Sequence, residues 1–197
     1  MKNLQERAWS GAAVLAALLV SGSASAQIVQ APGAPLAGLC VYSESSLLGQ
    51  SAAGVAANRQ LAQIQQSVNG ELVTLRDKLV ADDRALTAQK AQLPAADFNQ
   101  RTAALQARAR DLDALARTRD NQLARTRDDA VSQISRAALP LFNASLTAHG
   151  CAIVFDRTPV YSVNPVMDLT GDVIQRLNSV MTSITLQLAA PQAPAAR

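Results

Sequence analysis

Apolar residues at Val68, Leu72, Leu75, Leu79, Leu86 and Leu93 follow alternating steps of four and three, with Asp82 and Gln89 standing in two of the slots. A seam of that spacing belongs to a helix that lies along another helix. Leu61 and Ile64 extend the pattern backwards, so it predicts a helix from about Val55 to Leu93, after a break at Ser51 to Gly54. The two polar slots make the seam more soluble and less stable, and a seam of this kind can part locally. Pro94 ends the pattern, because proline lacks the amide donor and its ring clashes with the preceding turn. Asp97 is placed to cap a second helix. That helix is predicted from Phe98 to His149, with Phe98, Leu105 and Leu112 spaced by seven and a kink expected at Pro140. At 1.5 Å per residue the two helices are on the order of 55 and 75 Å long. Neither fits inside a small globule, so the sequence predicts a protruding antiparallel hairpin.

The segments around the hairpin are of a different kind. Residues 38–43, GLCVYS, read as a strand, as do 151–157, CAIVFDR, and 159–163, PVYSV, with a tight turn between the last two. Gly150 after His149 suits a left-handed helix end, and a cation at His149 complements the helix dipole. Asp168 or Thr170 opens a last helix, with Asp172 in its first turn and Val173, Leu177, Val180, Ile184 and Leu188 on its apolar face. The domain organisation read from this is 1–26 signal peptide, 27–54 lead-in and first strand, 55–149 hairpin arm, 150–190 C-terminal body segment, and 191–197 disordered tail.

The signal peptide rests on Lys2 and Arg7, the apolar run GAAVLAALLV at 11–20, and Ala24 and Ala26 before the cleavage point. Ten apolar residues are too few to span a bilayer, which takes roughly 20. Cleavage after Ala26 removes Lys2, Arg7 and Glu6 and leaves 16 basic and 14 acidic residues. A net charge of +2 is too small to argue for nucleic acid. The arm at 55–149 holds 13 lysines and arginines against 10 acidic residues, interleaved as in RTRDNQLARTRDDA. That is a solvated face with local ion pairs rather than an anion site, so contact with anionic lipid or lipopolysaccharide stays open. One histidine and two distant cysteines offer no convergent acid, base, nucleophile or metal set, so neither an enzyme nor a cofactor is expected. In an exported chain, Cys40 and Cys151 suggest one disulfide, within or between chains.

GCAIVFDRTPVYSVNPVMDLTGDVIQRLN at 150–178 resembles the C-terminal body segment of the Skp/OmpH family of periplasmic chaperones. Asp156, Tyr161, Asp168, Thr170 and Val173 stand at its matching positions, and SESSLLGQSAAG at 43–54 is similar to the family's step into its first arm helix. The resemblance implies a homotrimer. Its strands would gather into one β body, and three arms would enclose a cavity that holds unfolded outer-membrane β-barrel proteins without ATP. The expected fold class is therefore α+β, a small antiparallel β body shared in a trimer with a long protruding helical hairpin. Because the first strand runs into the arm and the second runs out of it, the two are expected to be antiparallel, with Cys40 and Cys151 paired at the arm–body junction. The alternative is an exported coiled-coil structural or adaptor protein that binds a folded envelope partner.

Overall fold

A computed structural model describes residues 33–192; the signal-peptide segment 1–26 and the last five residues of the tail lie outside them. In chain order the elements are β1 (Leu39–Tyr42), α1 (Glu44–Gln50), α2 (Ala52–Ala88), α3 (Ala95–His149), β2 (Ile153–Asp156), a 3-10 turn (Pro165–Met167) and α4 (Thr170–Val180).

The step from strand to arm is built by two serines. The Ser43 hydroxyl accepts from the Ser46 amide at 3.1 Å and starts α1, a helix that the sequence pattern had not separated from the loop. Ser51 ends α1, and its hydroxyl accepts from Gly54 at 3.1 Å to start α2. This break is sharp enough to bring the Leu48 carbonyl against the next helix. A Cβ on Gly54 would lie 1.9 Å from that oxygen, so no other residue fits there.

The hairpin has the expected lengths, with α2 at 37 residues and α3 at 55. At its tip Pro94 takes the N-cap position, so α3 starts three residues before Phe98. Asp97 therefore lies in the first turn rather than at the cap, where it still complements the dipole. Pro140 lies within α3, which continues past it as one helix. Gly150 ends α3 at φ 64°, the left-handed conformation expected of it.

The expectation of antiparallel strands is wrong. β2 pairs with β1 in parallel, Leu39 opposite Ile153 and Tyr42 opposite Asp156. The reason is the unequal length of the two helices. The 18 residues by which α3 exceeds α2 carry it about 27 Å further. It runs down past β1 before Gly150 turns the chain back, so both strands point towards the arm. The whole hairpin is thus the crossover that a parallel pair needs. Cys40 and Cys151 are joined within the chain, their Cα atoms 5.8 Å apart. Their place differs from the expected junction: Cys151 follows the end of α3 that lies away from the hairpin tip, and its amide bonds back to Leu146.

The third strand is also corrected. Residues 159–163 form no strand: the chain turns at 157–160, with the Val160 amide bonded to Arg157 O at 3.1 Å and the Arg157 guanidinium on Val160 O, and runs on without regular structure. The free side of β1 is taken instead by Asp168 and Leu169, whose amide donates to Val41 O at 3.0 Å. The last helix stops at Val180, eight residues short of Leu188, where the apolar spacing placed its end. Thr182, Ile184 and Thr185 are β-branched and resist the helix, and the chain runs on outside any helix or strand to Gln192.

The core lies where α1, the start of α2, the lower part of α3 and α4 meet. Leu47, Leu169, Val173 and Leu177 are fully buried there, with Ile134 at 2% exposure. Tyr42 packs on Phe142 with ring centroids 4.7 Å apart. Burial, and then the charge of Glu44, push its phenol up to about 12.

Candidate functional site

The residues that match the family pattern do not converge on one pocket. They tie the C-terminal segment to the first strand. Asp168 accepts from the Thr170 amide at 2.9 Å and lies 3.6 Å from the Arg157 guanidinium. The Thr170 hydroxyl accepts from the Ser43 amide at 3.0 Å, 127 residues away in sequence. Val173 fills the core. Asp156 accepts from the Thr158 amide at 2.7 Å, which holds its carboxyl below the usual range. Tyr161 alone has no packing role in the protomer: it is 101% exposed.

A second polar tie closes the body around α4. The Ser145 hydroxyl, fully buried, donates to Asp172 at 2.7 Å, and Arg176 donates to the same oxygen at 2.7 Å. The bond from Arg176, then that from Ser145, lowers the Asp172 carboxyl below its ordinary value. A depressed carboxylate stabilises the fold above its unfolded value, about 3.9, and loses that contribution as pH falls through the folded value. Arg176 is partly in water, so the tie is worth about 1 kcal/mol. Asp172→Asn is expected to lose about that much at pH 7 and to show a shallower acid-induced loss below about pH 4, read by urea unfolding at several pH values. A parallel shift of both proteins at every pH would contradict this.

The arm leaves apolar surface open along its length. Where the seam slots are polar, α2 and α3 are joined by side chains of opposite character: Asp82 takes Arg108 at 3.1 Å, and Gln89 takes Arg101 at 3.5 Å. Nearer the body Glu71 takes Arg119 in a two-pronged pair at 3.0 and 2.8 Å. Such exposed pairs add a few tenths to about 1 kcal/mol each. They hold the helices in register without closing the space between them. Val68 and Leu86 are buried in the seam, but Leu75 is 40% exposed. Between them lies a groove of about 350 Å³, its apolar walls formed by Leu75, Leu79, Leu112 and Leu115, with Lys78 and Asp111 at its rim. Val73 and Val80, seven residues apart on α2, are 50% and 42% exposed.

At the root of the arm the chain meets itself. Gln60 on α2 and Gln122, Arg125 and Thr126 on α3 hold the extended segment after α4. Sequence reasoning missed this set. Its one legible sign was a polar pair, Gln122 and Thr126, one helical turn apart on a face that the fold buries at 3% and 1% exposure.

The described residues contain no helix long and apolar enough to cross a membrane. The family described as outer membrane protein (OmpH-like) matches residues 39–177, from the start of β1 into α4. A solved structure of a candidate outer membrane chaperone (OmpH-like) from Caulobacter crescentus is similar to the chain at 28% identity and TM-score 0.77, covering 80% of this chain and 94% of that one. No curated protein matches the chain.

Proposed function

The chain belongs to the OmpH-like outer membrane protein family, and on that premise we propose that it is a periplasmic holdase, exported through a signal peptide that is cleaved after Ala26, which keeps unfolded outer-membrane β-barrel proteins from aggregating without ATP. The observation that carries the reading is the arm: two long helices pinned by ion pairs, with apolar groove walls left open between them. An unfolded chain needs apolar contact that tolerates many sequences. Half-exposed leucines and valines among charged neighbours offer it without making the free protein insoluble.

The holding form is a homotrimer. Ile153 and Phe155, on one face of β2, are 56% and 51% exposed, and Tyr161 and Val166 are more exposed still. Large apolar residues clustered in one stretch of a chain call for a cover. A two-stranded sheet is too small to stand alone, and three copies would share one body and set three arms around a cavity.

The rival is an exported spacer or adaptor for a folded partner. Such a protein would keep a continuous apolar seam, whereas here Asp82, ion-paired with Arg108, and Gln89, hydrogen-bonded to Arg101, interrupt it. The purified mature protein, without nucleotide, is expected to suppress light scattering by a urea-diluted outer-membrane β-barrel protein at about one trimer per client. Undiminished aggregation, together with a stable complex with a folded envelope protein, would favour the rival.

A further inference from the structure

Residues after α4 cross the root of the arm as an extended strap. Its apolar residues alternate with polar ones: Ile184, Leu186 and Leu188 turn inward, with Ile184 at 7% exposure, while Ser183, Thr185 and Gln187 face water. Period-two burial is what a strand shows against a sheet, yet here the partner is a pair of helices. The helices supply the missing ladder from side chains. Gln60 donates to Ile184 O at 2.5 Å and accepts from Leu186 N at 2.9 Å. Thr126 accepts from Ala189 N at 2.9 Å, while Gln122 donates to Ala189 O and Arg125 to Ala190 O. Every one of these bonds is made to the backbone of the strap. The arm root therefore reads an extended main chain with an apolar residue at alternate positions, and little else about its sequence.

Strands of outer-membrane barrels have that same character: about ten residues, with apolar and polar side chains in alternation. We propose that residues 181–190 are an internal stand-in for a client strand, occupying at the arm root a site that an extended segment of an unfolded β-barrel protein takes when it displaces the strap. The inference rests on the holdase reading for the identity of the client. The strap protects the buried amide and hydroxyl groups of Gln122 and Thr126 while the site is free. It also adds a threshold, since a client strand must outcompete a tethered one.

The test uses the full mature chain and a fluorescent ten-residue peptide of alternating threonine and leucine, with lysines at both ends. A control peptide of the same composition carries its leucines in one block. Saturating alternating peptide is expected to speed hydrogen exchange at the Leu186 and Ala189 amides at least about tenfold while the α4 amides stay protected. Ile184→Asp, which loosens the strap, is expected to bind the alternating peptide about tenfold more tightly than the parent. Unchanged protection at Leu186 and Ala189 under saturation overturns the proposal, as does equal binding of the blocked peptide. Should Ile184→Asp fail to fold, the exchange measurement on the unaltered chain decides. Light scattering by a β-barrel client, measured in parallel, separates the two claims. Suppression with the strap amides protected throughout removes this inference alone. Strap release by peptide without suppression of client aggregation removes the holdase reading and leaves the strand-reading site standing.

Discussion

Replacing both Cys40 and Cys151 by serine is expected to cost about 4–5 kcal/mol of stability, a larger effect than any single truncation of a seam residue in the arm. The bridge spans 111 residues of sequence and closes a loop that contains the whole hairpin. In the chain-entropy account its main action is on the unfolded chain, whose two ends of the arm it keeps together. The native contacts around it are few: β1 and β2 are four residues each. Without the bridge, the parallel pair must form across the entire arm before any contact repays the closure, so folding as well as stability should suffer. Urea unfolding of the oxidised protein and of the double serine variant measures the difference. Mass spectrometry under non-reducing conditions should find the Cys40 and Cys151 peptides linked. Equal midpoints for the two proteins, or two alkylatable thiols in the native protein, would refute the assignment.

Phe155→Asp should act on assembly and almost not at all on the protomer. The ring is 51% exposed in the single chain, so an aspartate there meets water and costs the protomer under about 0.5 kcal/mol. In the proposed trimer the same position becomes covered, and a carboxylate without a partner must be desolvated three times over. A loss of about 3 kcal/mol per protomer interface is of the order seen for central apolar anchors. Sedimentation should show the variant as a folded monomer at concentrations where the parent is a trimer, with unchanged helical circular dichroism. Suppression of client aggregation should fall with it, because one arm encloses no cavity. A variant that stays trimeric would show that the exposed face of β2 is not the assembly surface.

The two kinds of residue behave differently when read from sequence. The hairpin was legible because Val68, Leu72, Leu75 and Leu79 repeat at helical spacing and Pro94 interrupts them, both local signals. Gly150 and His149 announced the end of α3 for the same reason. The last helix misled, since Val180, Ile184 and Leu188 are spaced as a helix while Ile184, Leu186 and Leu188 are spaced as a strand. The β-branched Thr182, Ile184 and Thr185 and the polar groups waiting on α2 and α3 decided for the extended form. The family-matching residues were legible as a motif but not as a function. Only the fold shows that Thr170 reaches Ser43 and that Asp172 reaches Ser145, which makes them ties of the body.

By itself the sequence determined the long hairpin and its tip, because helix periodicity and proline chemistry are written in neighbouring residues; the cysteine count alone left open whether Cys40 and Cys151 pair within a chain or between chains. Only the tertiary structure decided the direction of the strands. That depends on how far α3 overshoots β1, a difference of 18 residues between two helices whose starts are set by Ser51 and Pro94. It also decided the strap, since an extended chain can find its partners on helices only after the helices have been brought side by side.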